Sequence, residues 1–419
     1  MTDTTSAAEQ SSRDRHLFGP GPKRILALDG GGVRGAITVA FLERIEELLG
    51  QRYGKEVRLG DHFDLVGGTS TGAIIAGALA LGKRTDEIKR FYLELAPNAF
   101  KRQNWPIPIL RSKFDARGLR KQIADVVGKR NLGSEDLLTG FALVTKRVDT
   151  GSAWMVSNDP RAPYWEDAPG HIGNKHYPLV NLVRASTAAP HFFDPELLAI
   201  SSDKVLPEEI AQPLEQPWLV RAIVALLARV RLHRGAGFNA RDYGLFVDGG
   251  VTPHNNPSVA LLQLATLKAF GICWPMALGQ LSITSIGTGS FRPKLQYEEL
   301  GFAGVPKLAL HALVSMMSDT QTHALALMQW WGKSPDPWVI NSEIGTLADD
   351  APPGGKLFDF QRYDVLLEED WLTQALGHKV SKADVERYRH MDNPGIVNEL
   401  YEMARTVAKE QVKPGHWLA

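Results

Sequence analysis

Cysteine is almost absent from this sequence. Cys273 stands alone among 419 residues, which excludes an internal disulfide and any cysteine-built zinc cluster and fits a reducing compartment. Charge of one sign is lacking too. Lys plus Arg and Asp plus Glu number 47 each, so the formal net charge is zero, and the balance gives no reason to expect nucleic acid as a partner. The first 22 residues, MTDTTSAAEQSSRDRHLFGPGP, lack the apolar centre of a secretory leader and read as a disordered tail. Long apolar runs are missing, with one exception. Leu65 to Gly82 carries no charge and approaches the length of a membrane span, but it holds five glycines and the polar trio Thr69-Ser70-Thr71. A buried strand, a tight turn and a buried helix account for it better than a span does. The expected location is cytoplasmic, with peripheral membrane contact left open.

What is present is an α/β alternation. The apolar share of 44% and charged share of 22% are ordinary for a globular protein. RILALD (24–29) and FDLVGG (63–68) are short apolar runs ending in turn residues, the pattern of buried strands. Between them Ile37, Phe41, Leu42, Ile45, Leu48 and Leu49 recur at helical spacing. TGAIIAGALALG reads as a small-residue helix, FALVTKRV and AWMVSN as a strand pair, and YGLFVDGG and LSITSIGTG as two more core strands. Strands alternating with helices predict a mainly parallel sheet covered on both faces. The expected division is a catalytic domain over 23–290, an insertion at about 201–241, and a helical C-terminal portion over 291–419.

Three turns carry candidate chemistry. GGTSTGA sets Ser70 between Gly68 and Gly72 as G-x-S-x-G after a strand and before a helix. That is the nucleophile-elbow spacing, in which small residues let the backbone cross closely and lift the serine out. DGGGVRG sets Gly30, Gly31, Gly32, Arg34 and Gly35 at another strand-to-helix turn. Gly30, Gly32 and Gly35 match G-x-G-x-x-G, but no acidic residue ends the next strand as a dinucleotide fold requires. The other use of such a turn is anion binding by backbone N–H groups, and for acyl transfer the anion is an oxyanion, whose donors each contribute roughly 2.7–4 kcal/mol. YGLFVDGG ends a strand with Asp248, Gly249 and Gly250. Asp248 is either a turn cap or the base for Ser70. His254, six residues on, keeps a Ser–His–Asp arrangement in play.

Taken in order, DGGGVRG, GTSTG, RASTAAPHFF (184–193) and DGGVTPHNNP (248–257) resemble the patatin-like phospholipases. The resemblance covers roughly residues 24–290. It implies a three-layer α/β/α fold and hydrolysis of phospholipid or other acyl-lipid esters. It also implies a Ser70–Asp248 dyad rather than a triad, with an oxyanion hole around Gly30–Gly32 and Arg34. No calcium or zinc constellation is visible, so chemistry without metal or cofactor is expected. Ser201–Arg241 matches no family motif. Within it, PWLVRAIVALLARVRLHR (217–234) reads as a packed helix or as a basic interfacial helix, and Trp330, Trp331 and Trp338 as core or interfacial aromatics. Two alternatives stand beside the lipid hydrolase: a Ser–His–Asp esterase on small soluble esters, and a nucleotide binder built on Gly30–Gly35. The sequence does not specify oligomeric state.

Overall fold

The computed structural model describes residues 10–53, 57–99, 116–190, 192–201, 242–294 and 305–417. The segment 202–241 lies outside them, and with it the stretch 217–234 read as a helix and all of the expected insertion but Ser201.

Among the described residues nine strands form one mixed sheet: β1 (Lys23–Leu28), β2 (Leu65–Thr69), β3 (Gly140–Arg147), β4 (Ser152–Ser157), β5 (Glu196–Ala199), β6 (Tyr243–Asp248), β7 (Leu281–Ile286), β8 (Gly332–Lys333) and β9 (Phe358–Tyr363). The order is β5-β6-β3-β2-β1-β7-β9-β8, with β4 on β3. From β3 through β2, β1, β7, β9 and β8 every pairing is parallel. β4 and β6 run antiparallel to β3, and β5 antiparallel to β6.

The continuous apolar run in β1 follows from its central place, because a strand covered on both faces has no polar side. Strand periodicity sends alternate residues to opposite faces. Leu26 and Leu28 join a core with the helices Gly35–Tyr53, Thr71–Ala80 and Val397–Gln411. Ile25 and Ala27 join a separate core with Leu261 and Leu264 of the helix Ser258–Thr266 and Met328 of the helix Val305–Trp331. The result is the expected three layers. Among the described residues no helix is long and apolar enough to cross a membrane. The charge-free stretch from Leu65 becomes β2, a turn and the helix Thr71–Ala80.

Two stretches differ from expectation. Residues 12–18, inside the stretch expected to be a disordered tail, form a helix capped by the Ser11 side chain. Leu17 is 1% exposed within the second core, and its carbonyl accepts the Trp274 indole N–H at 2.7 Å. Leu17 and Phe18 on the second core, the Trp274 indole and the His16–Asp64 contact at 3.0 Å order a segment that has no periodicity of its own. The portion after 290, expected to be helical, also supplies β8 and β9, and β9 lies between β7 and the edge strand β8. Of its tryptophans, Trp338 stacks on Trp371 and donates to the Arg362 carbonyl, Trp331 packs on the second core, and Trp330 is exposed.

Candidate active site

β3 is the template that assembles the site. Its residues Gly140–Val144 pair with β2, and Thr145–Arg147 pair with β6. β4 pairs across both stretches, so it holds one edge of β3 while β2 and β6 share the other. β2 runs in one direction and ends with Thr69 beside Val144. β6 runs in the other and ends with Asp248 beside Thr145. Two strands meeting head-on along one edge bring together residues 178 apart in sequence: Ser70 Oγ donates to Asp248 Oδ2 at 2.7 Å.

Ser70 sits at φ 54°, ψ −123°, between β2 and the helix Thr71–Ala80. That conformation costs an L-residue roughly 1–3 kcal/mol. The flanking glycines leave no choice. A Cβ on Gly68 would strike the Gly72 backbone, and one on Gly72 would strike the Leu28 carbonyl. The Ser70 N–H donates to Ser186 Oγ at 2.9 Å, and Ser186 Oγ donates to the Val144 carbonyl at 2.6 Å. Ser186 lies in the RASTAAPHFF segment, which was legible as a motif but not as this support. If the strain is held by the turn, Ser70→Gly should unfold at higher urea than Ser70→Ala, by about 1 kcal/mol or more. Equal midpoints for the two variants would remove the strain argument.

Asp248 is 4% exposed. Burial pushes its carboxyl up to about 6, against hydrogen bonds from Ser70 and from the Gly250 N–H and the nearby charge of Arg184. The Gly250 N–H donates to Oδ1 at 2.7 Å, so Asp248 both caps its turn and holds Ser70. The His254 ring touches neither oxygen. That residue contributes its backbone carbonyl to Thr69 Oγ1 at 2.6 Å, and burial lowers its imidazole pKa.

The glycine loop is fastened from every side. The Gly30 carbonyl accepts from Thr288 Oγ1 at 2.8 Å and Asn255 Nδ2 at 3.3 Å, and its N–H donates to the Asn255 carbonyl. The Gly32 carbonyl accepts from Thr71 Oγ1 at 2.9 Å and from the Tyr92 hydroxyl. The Val33 N–H donates to the Met391 carbonyl at 2.9 Å. Gly32 is at φ 59°, in the left-handed region open to glycine. Among the described residues the Gly31 and Gly32 N–H groups have no acceptor in the protein, and both residues line the same cavity as Ser70 and Asp248.

That cavity has a volume of about 260 Å³, with walls that include Ile74, Leu119, Phe192, Phe193, Val314 and Met317. Arg34 is also in the wall. It is buried, with no hydrogen-bond partner for Nε or Nη1 among the described residues, and its guanidinium lies 5.4 Å from the Phe291 ring centre. Burial pulls its pKa down to about 10, so it remains a cation at neutral pH. Asp29, at the loop's entrance, is fully buried and grips Arg362 of β9 through both oxygens, at 3.0 and 2.7 Å. Arg362 also donates to Asp364 at 2.8 Å and Ser285 at 2.7 Å. Of the residues named from sequence, Gly30, Gly31, Gly32, Arg34, Ser70, Asp248 and Gly250 line this cavity and His254 does not, while Arg362, Tyr92, Thr288, Phe291 and Met391 had not been singled out. Thr288 stood in the quoted LSITSIGTG run; the others carried no local signal.

Comparison with known proteins bears on the family of the chain. A family model described as patatin-like phospholipase matches residues 26–262. Patatin-like protein 1 of Oryza sativa subsp. indica is 32% identical over 423 residues, covering 92% of this chain and 90% of its own. The cGAMP-activated phospholipase of Vibrio cholerae serotype O1 is 32% identical over 183 residues, which is 41% of this chain and 49% of that one. A cUMP-AMP-activated phospholipase of Escherichia coli is 46% identical over 188 residues, 43% of this chain and 52% of that one. The chain thus spans about half the length of these two bacterial relatives. With a family model across more than half of its residues and a relative aligned along nearly all of them, the chain belongs to the patatin-like phospholipase family.

Proposed function

We propose that this chain is a serine lipid acyl hydrolase of phospholipase A type, working through a Ser70–Asp248 dyad and an acyl-enzyme. The observation that carries the reading is the 2.7 Å hydrogen bond from Ser70 Oγ to a buried carboxylate at the wall of an apolar cavity. A serine hydroxyl needs a base to attack. An ordinary aspartate, near 3.9, is a weak one at neutral pH. A carboxyl held near 6 by burial is better matched to the task.

In the proposed cycle Asp248 takes the Ser70 proton as Oγ bonds to the acyl carbonyl carbon. The carbonyl electron pair moves to oxygen, received by the Gly31 and Gly32 N–H groups. Collapse breaks the bond to the leaving alcohol, which carries the proton away from Asp248. Water then attacks the acyl-Ser70 ester by the same route and releases the fatty acid. Arg34 supplies a fixed cation beside the developing charge, and the apolar wall suits an acyl chain.

The two alternatives fit less well. A triad esterase needs a histidine between Ser70 and Asp248, and the His254 ring bonds to neither. A Rossmann-type dinucleotide site needs an acidic residue at the end of the strand after the glycine loop, and β2 ends in Thr69. The bacterial relatives' names include activation by cyclic dinucleotides, so the lipid assay belongs both with and without one. The decisive experiment is a fluorophosphonate probe followed by peptide mass spectrometry. Attachment to Ser70, with release of fatty acid from a phospholipid panel, is the expected result. A folded protein that takes no probe at Ser70 would remove the hydrolase reading.

A further inference from the structure

The glycine loop is restrained on one side by a segment far outside the family match. The helix Lys382–Arg389 ends at a short strap, residues 389–392, that lines the cavity. Met391 gives its backbone carbonyl to the Val33 N–H at 2.9 Å and sits against Gly32. A backbone carbonyl is available whatever residue stands at 391. What fixes the strap must therefore be a side chain, and Arg389 is the one built for it. Its Nε and Nη2 both donate to the Leu367 carbonyl, at 3.0 and 2.8 Å, and Nη1 donates to Glu386 at 2.6 Å. Its guanidinium lies 5.1 Å from the centre of the Phe291 ring, the ring that also stacks with Arg34 at 5.4 Å. Leu367 in turn donates its N–H to Ser290, just after β7. One aromatic ring thus joins the strap's anchor to the arginine of the glycine loop.

Glycine loses more conformational freedom on ordering than any other residue, so a run of three depends on outside restraints to stay in one geometry. We propose that Arg389 is a positioning residue for the oxyanion loop: it fixes the strap whose Met391 carbonyl holds Val33, and so keeps Gly31 and Gly32 set at the cavity wall. The inference rests on the hydrolase reading for its effect on rate, but not for its effect on the loop. A displacement of about 1 Å at such donors is enough to lower a rate by about 100-fold.

The test uses the full chain with Arg389→Ala and Arg389→Lys. Hydrogen–deuterium exchange of peptides across residues 29–35 is read beside the rate of fluorophosphonate attachment to Ser70. The expected result for Arg389→Ala is faster exchange confined to 29–35 and the strap, and labelling slowed by about 10- to 100-fold. Arg389→Lys, which has a point charge in place of a fork, should fall between, and it carries the test if the alanine variant does not fold. Unchanged exchange at 29–35 overturns the proposal. So does faster exchange spread over the whole chain, or local loosening with labelling at the wild-type rate. If the wild type itself takes no probe, the hydrolase reading fails, and the exchange comparison still decides whether Arg389 holds the loop.

Discussion

Asp248→Asn should lower turnover of a short soluble ester by about 10²–10⁴-fold, the range for losing a positioned base, while His254→Ala stays within about twofold. The asparagine keeps the size of the side chain and a polar partner for Gly250, but it cannot accept the proton of Ser70. The wild-type rate should rise through about pH 6, where the Asp248 carboxyl ionises. Stability moves the other way. A carboxyl raised above its ordinary value keeps a proton in the native state that the unfolded chain has already lost. The native state therefore binds more protons between about pH 4 and pH 6, and stability falls as pH rises through that window. At neutral pH the buried charge is a standing cost that Asp248→Asn removes. The variant should melt at or above the wild-type temperature at pH 8. Pre-steady-state and pH–rate measurements check the first claim, and thermal melts at pH 5 and 8 the second. A His254→Ala protein that loses the activity, with Asp248→Asn unaffected, would reverse the assignment.

Arg362→Met should cost about 3–5 kcal/mol at neutral pH, because it leaves two buried carboxylates without their cation. Asp29 is pushed up to about 6 by burial even with Arg362 beside it. Without the arginine its carboxyl rises further and stays protonated in the folded state. The loss should thus be smaller at pH 5, where protonation of Asp29 costs little, and larger at pH 8. Urea titrations at the two pH values read this directly. Adding Asp29→Asn to Arg362→Met should recover part of the loss, since the second change removes one of the stranded charges. A loss independent of pH, with no recovery in the double variant, would mean that Arg362 acts through packing alone.

The site was legible in sequence wherever its chemistry imposes a demand on the local backbone. Ser70 announces itself because the elbow requires Gly68 and Gly72. Asp248 announces itself because a carboxylate ending an apolar strand needs partners, and Gly249–Gly250 supply one of them. The glycine loop is visible for the same reason. Its supports are not. The partner of Asp29 stands 333 residues away, and the acceptor for Val33 is a backbone carbonyl that any residue at 391 would provide. Neither leaves a periodicity or a spacing to find. The N-terminal helix escaped for a related reason: Leu17 and Phe18 are two adjacent apolar residues in a polar stretch, and they are held by the second core and by Trp274. The fold class was readable from strand and helix alternation, whereas the place of β9 in the sheet was not, because FDFQRY alternates apolar with polar and charged residues.

The distance between Asp29 and Arg362 also has a consequence for synthesis. A ribosome adds about 5–20 residues each second, so Asp29 waits about 17–67 s before its arginine has been made. Throughout that interval the carboxylate before the glycine turn lacks the arginine that grips both its oxygens, and the strap that holds Val33 does not yet exist. Ser70 and Asp248 both precede Arg362 and Met391 in the sequence. A nascent chain therefore holds Ser70 and Asp248 long before it holds the residues that fasten the glycine loop, and the loop's restraints are complete only once Met391 has been made.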